Sequence, residues 1–161
     1  KVVIPSSVIT IGDNAFDGCQ KLEKLSIPSS VKSIGKCSFS ECISLVEILI
    51  PSSVNYIGEK AFYSCSSLMK IVIEASISTI DKKTFSQCNS LSQVIFPPTL
   101  ISISDYAFEN CYSLERLNFP HSLKSISRLA FNGCSLLKMV SLPSSINDNY
   151  IFSSNVIIKR I

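Results

Sequence analysis

Six cysteines stand at a constant period of 23: Cys19, Cys42, Cys65, Cys88, Cys111 and Cys134. Thiols in such a series invite disulfide formation or soft-metal ligation. Equivalent atoms on adjacent turns of a stacked chain lie ~4.8 Å apart, whereas a disulfide wants Cβ atoms ~3.8 Å apart in staggered geometry. Zinc sites draw on close pairs such as C-x-x-C, and none occurs here. The spacing therefore reads as a structural ladder of small apolar thiols turned inward. The seventh cysteine, Cys37, falls outside the series, at a slot that holds Asn14, Lys60 and Lys83 in other units. It is expected at the surface, open to reaction or to an intermolecular disulfide.

A hydroxyl column follows the same period: Ser7, Ser30, Ser53, Ser76, Thr99, Ser122 and Ser145. A nucleophilic serine needs a base beside it, and the chain's single imidazole, His121, pairs with no particular Ser and Asp. The hydroxyls are expected to hold the backbone of turns through short local bonds. No G-x-G-x-x-G and no phosphate loop occurs. Asp81, Asp105 and Glu109 sit where they would favour a helix dipole. No catalytic, cofactor or metal site is expected.

The elements that carry these columns follow from the repeat itself. Phe16, Phe39, Phe62, Phe85, Phe108 and Phe131 share the period of 23, as do Leu22, Leu45, Leu68, Leu91, Leu114 and Leu137. Pro recurs from Pro5 to Pro143, with Glu74 in the one missing slot. Alternation through Leu25 and Ile27, stopped by Pro28, predicts a short strand. The three-residue spacing of Phe39, Cys42 and Leu45 predicts a short helix. Gly12, Gly35, Gly58, Asp81, Ser104 and Ser127 precede it at a slot suited to an N-cap. A unit this small cannot bury its own apolar side, so the units must stack and share one core. The expected class is an α/β repeat solenoid with a parallel concave sheet and short convex helices.

The signature L-x-x-L-x-[IL]-P-x-[ST]-[VIL]-x-x-I-[GDS]-x-x-[AST]-F-x-x-C runs through residues 2 to about 146. It resembles the BspA-like, Treponema pallidum-type leucine-rich repeat. The resemblance implies a horseshoe or flatter arc with a strand on the concave face. It also implies a surface or secreted protein of mucosal bacteria or protists, associated with adhesion to host or microbial proteins. Residues 1–146 are assigned to the repeat array, about six full units. Residues 147–161 depart from the pattern, with Asn149, Ser154 and Ile157 in the Ile, Phe and Cys slots. They are read as a degenerate cap, the start of a different segment, or a tail. Lys1 in place of Met, and Val2 and Ile4 in the strand slots of an incomplete unit, predict further units upstream. Bare terminal edges would favour end-to-end self-association.

The concave strand has two outward columns. Lys24, Glu47, Lys70, Gln93, Arg116 and Met139 form one; Ser26, Leu49, Val72, Ile95, Asn118 and Ser141 form the other. Three consecutive apolar members flanked by polar ones mark a candidate protein-binding face, although β-propensity alone would also place Leu, Val and Ile there. Lys24, Glu47, Leu49, Lys70, Val72, Gln93, Ile95, Arg116 and Asn118 are the candidate contacts.

Composition bounds the partner. The formal net charge of +3 is too small for a nucleic-acid binder. The mean hydropathy of +0.34 is spread over the repeat and never gathers into the ~18 apolar residues of a membrane helix. A protein ligand is the expected partner, with cell-surface or secreted location. An intracellular scaffold is the alternative, compatible with free thiols in a reducing compartment.

Overall fold

The computed structural model describes residues 2–161. Each coil of the chain contributes short strands to two faces. One face holds β1 (Val2–Val3), β3 (Leu25–Ser26), β5 (Glu47–Ile50), β7 (Lys70–Ile73), β9 (Gln93–Ile95), β11 (Arg116–Asn118), β13 (Met139–Leu142) and β14 (Ile157–Arg160). The other holds β2 (Thr10–Ile11), β4 (Ser33–Ile34), β6 (Tyr56–Ile57), β8 (Thr79–Ile80), β10 (Ser102–Ile103) and β12 (Ser125–Ile126). Every pairing is parallel, and partners keep the repeat period from Val2↔Leu25 to Arg116↔Met139. The predicted strand at Leu25 is present, and the extended stretches after Pro5, Pro28, Pro51, Glu74, Pro97 and Pro120 are strands too.

The expected short helices are absent among the described residues; the Phe-x-x-Cys segment is a run of turns. The backbone supplies the reason. Asn14, Cys37, Lys60, Lys83 and Tyr106 have φ of 53–59°, and Gly18, Glu41, Ser64, Gln87, Asn110 and Gly133 have φ of 56–78°. Two left-handed residues in each of the first five turns, and Gly133 in the sixth, cannot belong to a right-handed helix. Backbone N–H groups instead alternate between two kinds of bond. Ala15 and Asp17 donate back three residues, to Gly12 and Asn14. Asn14, Phe16 and Gly18 donate across to the next coil, to the carbonyls of Lys36, Ser38 and Ser40 at 2.7–2.9 Å. A three-residue apolar period thus arises without a helix, because consecutive turns also return the chain to the same side every three residues.

The slots read as N-caps act through main-chain carbonyls, as in Ala61 N–H to Gly58 at 3.2 Å and Ala107 N–H to Ser104 at 3.3 Å, and at Ser127 the side-chain Oγ also accepts the Leu129 N–H, at 3.4 Å. Glycine at two of them answers close approach. A Cβ on Gly35 would lie 2.6 Å from the Asp13 nitrogen, and one on Gly58 the same distance from the Lys36 nitrogen.

The core is columnar. Phe16, Phe39, Phe62, Phe85, Phe108 and Phe131 stack with ring centroids 5.2–5.4 Å apart. Columns of Leu45, Leu68, Leu91 and Leu114 and of Ile34, Ile57 and Ile80 are buried beside them. Translation by one coil brings like side chains into contact, so each column is fixed by a single slot of the repeat.

The last coil is shorter. Met139 pairs with Ile157, whereas the period would place its partner beyond Ile161. Phe152 reaches the aromatic stack 5.6 Å from Phe131, ahead of the slot that the period assigns to Ser154. Arg160 holds this coil, donating to the carbonyl of Ile146 at 2.8 Å and to Asp148 Oδ1 at 2.6 Å.

Candidate functional site

The candidate site is built on the long-strand face. Its inward residues Ile48, Ile50, Ile71, Ile73, Leu117, Val140 and Leu142 are buried. Alternation along a strand then turns their neighbours outward. Glu47, Lys70 and Gln93 lie in register across β5, β7 and β9, as do Leu49, Val72 and Ile95. Arg116 and Asn118 continue the two columns on β11, opposite Met139 and Ser141. Lys24 joins through a parallel bridge to Glu47. The structure therefore brings all nine sequence-designated residues onto one face.

Leu49 is 49% exposed and Ile95 44%, and Val72 between them is half-buried. A shallow groove beside them is lined by Leu25, Ser26, Glu47, Leu49, Lys70 and Val72. It adjoins a second depression that reaches Val2, Lys24 and Pro28. The sheet is interrupted on both sides of this patch. β3 meets β5 only through the Lys24 bridge, and β9 is not hydrogen-bonded to β11. Alternating Lys24, Glu47 and Lys70 followed by Arg116 leave the rim mixed in charge with a cationic excess. Glu74, in the one slot lacking Pro, donates its N–H to the carbonyl of Ile50 at 2.9 Å, a bond proline could not make.

The cysteine ladder is buried through most of its length and all seven thiols are free. From the second rung onward each ladder thiol donates to the carbonyl of the phenylalanine one coil back: Cys42 to Phe16, Cys65 to Phe39, Cys88 to Phe62, Cys111 to Phe85 and Cys134 to Phe108, at 3.1–3.2 Å. Burial pushes the thiols up, to about 12 for Cys42 and Cys134 and well above the usual value for Cys65, Cys88 and Cys111. They are structural donors, poorly suited to nucleophilic attack. Cys19, at the start of the ladder, is exposed. Cys37 is half-buried in a left-handed turn position, and burial raises its thiol against the opposing pull of Lys60. No group of three or more His, Cys, Asp or Glu residues converges as a metal cluster among the described residues.

The hydroxyl column bonds differently from expectation. Ser30 donates to the carbonyl of Val8, Ser53 to Val31, Thr99 to Ile77 and Ser122 to Leu100, at 2.6–2.8 Å. These bonds run between coils because the local turn is already closed by main chain, as in Val31 N–H to Pro28.

A cleft at the C-terminal end has no counterpart among the sequence-designated residues. It lies between the turn of residues 128–135 and the shortened last coil, and Arg128, Phe131, Gly133, Tyr150 and Phe152 are among its walls. Its one trace in the sequence is the loss of the repeat spacing after Ile146.

Parallel coils of constant period, with stacked phenylalanines and a thiol ladder, define a leucine-rich-repeat solenoid. The profile of the BspA type leucine rich repeat region matches residues 1–80 and 57–161, in 6 copies. The chain belongs to that family. Among solved structures, it is 28% identical to a leucine-rich repeat protein from Eubacterium ventriosum, with a TM-score of 0.71 over 95% of this chain and 46% of that one. It is 27% identical to the leucine-rich repeat protein of T. pallidum, with a TM-score of 0.60 over 99% of this chain and 68% of that one. The pneumococcal vaccine antigen PcpA shares the fold at 18% identity, with a TM-score of 0.51 over 87% of this chain and 55% of that one. The chain thus spans about half to two thirds of the length of these proteins. No curated protein matches it. No helix among the described residues is long and apolar enough to cross a membrane.

Proposed function

We propose that this chain is a protein-binding segment of a surface or secreted adhesin-like protein and that it contacts its partner through the long-strand face. The observation that supports this most directly is the in-register column Leu49, Val72 and Ile95, exposed at its two ends and rimmed by charged side chains. Apolar side chains held in a row beside a groove lose water on contact, and the polar rim sets orientation. The hydroxyls of Ser30, Ser53, Thr99 and Ser122 support a structural use of that column, since each donates to a carbonyl of the preceding coil. The surface location rests on the resemblance to the repeat family.

The test is replacement of Leu49, Val72 and Ile95 together by Ser, with circular dichroism to verify folding, followed by binding to a panel of matrix and cell-surface proteins. Binding reduced by at least about tenfold is expected, since each buried side chain of this size contributes ~1.5–3 kcal/mol. Unchanged binding by a folded variant would remove this face from consideration. A second reading, an intracellular scaffold, is favoured by the seven free thiols. Surface biotinylation of intact cells separates the two, because a scaffold is labelled only after lysis.

A further inference from the structure

Two rungs of the turn ladder, at the phenylalanine and at the left-handed residue two positions later, are made between all neighbouring coils from the first to the sixth and then stop. Phe16, Phe39, Phe62, Phe85 and Phe108 each donate an N–H to the next coil at 2.7–2.9 Å. So do Gly18, Glu41, Ser64, Gln87 and Asn110, at 2.7–2.9 Å. The corresponding N–H groups of Phe131 and Gly133 have no acceptor among the described residues. The period assigns their acceptors to the carbonyls of Ser153 and Asn155. The last coil returns early, with Ile157 already beside Met139, and the Ser153 carbonyl instead takes the N–H of Val156 at 3.0 Å. The aromatic column is nevertheless continued by Phe152. The apolar interior is closed by Phe152, while the backbone edge at Phe131 and Gly133 stays open among the described residues.

The open edge faces a cleft with one charged side chain, Arg128, and no carboxylate in its walls. The Arg128 guanidinium stacks on Tyr150, 5.1 Å from the ring centroid, and forms no ion pair among the described residues. Phe131 is buried and Gly133 is exposed; an unmade bond at a buried N–H is costly, and a segment that supplies two carbonyls in the ladder spacing would complete both. A carboxylate on that segment would meet Arg128 in a charge-assisted bond.

We propose that this cleft docks an acidic peptide segment of a partner protein, which adds its turn backbone to the ladder at Phe131 and Gly133 and places a carboxylate against Arg128. The site is separate from the long-strand face and stands independently of it.

The chain's own first turn gives a suitable probe. In Gly12–Gly18 the carbonyls of Ala15 and Asp17 occupy the acceptor slots of the repeat and accept no N–H from another coil among the described residues. The acetylated, amidated peptide GDNAFDG would be titrated into the isotopically labelled full chain and followed by amide resonances and hydrogen exchange. Saturable shifts and slowed exchange at Phe131 and Gly133 are expected. Affinity should fall by about tenfold or more with Arg128→Glu, or with the peptide GNNAFNG, because either change removes the charge-assisted contact. Absence of saturable shifts at these two amides would overturn the proposal, as would equal shifts with sodium acetate, which would make the site one for small anions. Equal affinity for both peptides would overturn the acidic specificity. Concentration-dependent shifts without peptide would assign the cleft to a second copy of the chain and overturn a partner segment.

Discussion

Ser38 is buried at the slot filled by Ala15, Ala61, Ala107 and Ala130 in other coils, and its Oγ has no hydrogen-bond partner. Thr84 occupies the same slot but bonds the carbonyl of Asp81 at 2.8 Å. A buried hydroxyl without a partner costs ~1–3 kcal/mol. Ser38→Ala is expected to raise stability by about 1 kcal/mol in urea denaturation, while Thr84→Ala lowers it. The thiol ladder adds a pH dependence. The folded-state values of Cys42 and Cys134 lie at about 12, above the unfolded value of 9.0. The folded state therefore holds protons that the unfolded state releases, and their contribution is fully present below pH 9 and lost as pH rises toward 12. Between pH 7 and pH 10, stability should fall by roughly 1 kcal/mol for each of these thiols. Urea midpoints at the two pH values measure it, and a Cys42→Ala variant should lose part of the fall. A flat profile would contradict the burial of the ladder.

Among the elements, the turn that replaces a helix is the most constrained. Gly58 has no space for a side chain because the Lys36 backbone passes beneath it. Gly58→Ala is expected to destabilise by about 1–3 kcal/mol, as overpacking does. Gly12, where nothing lies within 4 Å of the added carbon, should tolerate alanine with little change. Thermal melts of the two variants give the comparison. Sequence pattern led to a helix here because a three-residue period is shared by helices and by stacked turns. The distinction lay in the left-handed positions, and only Gly18, Gly133, Asn14 and Asn110 are of residue types that favour one. Glu41, Lys60 and Lys83 adopt the same conformation with ordinary side chains, and their N–H groups are held by inter-coil bonds to the carbonyls of Tyr63, Lys82 and Asp105.

For the whole molecule, coil-to-coil contacts dominate, so stability is a sum over coils and their interfaces. Removal of one internal unit, residues 97–119, should leave a folded solenoid, since Phe96 and Pro120 would join at the same point of the repeat. The denaturant dependence should fall by about one sixth, in proportion to the surface lost, while the circular dichroism per residue stays unchanged. Removal of residues 97–114 alone, which is out of step with the period, should prevent cooperative folding, because every column would be shifted between coils.

The sequence by itself determined the coil. A strict repeat period fixed the columns of Phe, Cys and Leu, the parallel register, and the nine residues that share the long-strand face, because in a translational stack one slot dictates one column. The tertiary structure decided whatever depends on the next coil. It set the turns against a helix, sent the hydroxyl and thiol bonds across coils, opened the sheet between β9 and β11, and left the N–H groups of Phe131 and Gly133 beside a shortened last coil. Those features are hydrogen bonds between residues on different coils, far apart in the chain, and no local pattern of residue types encodes where such a bond is made or missed.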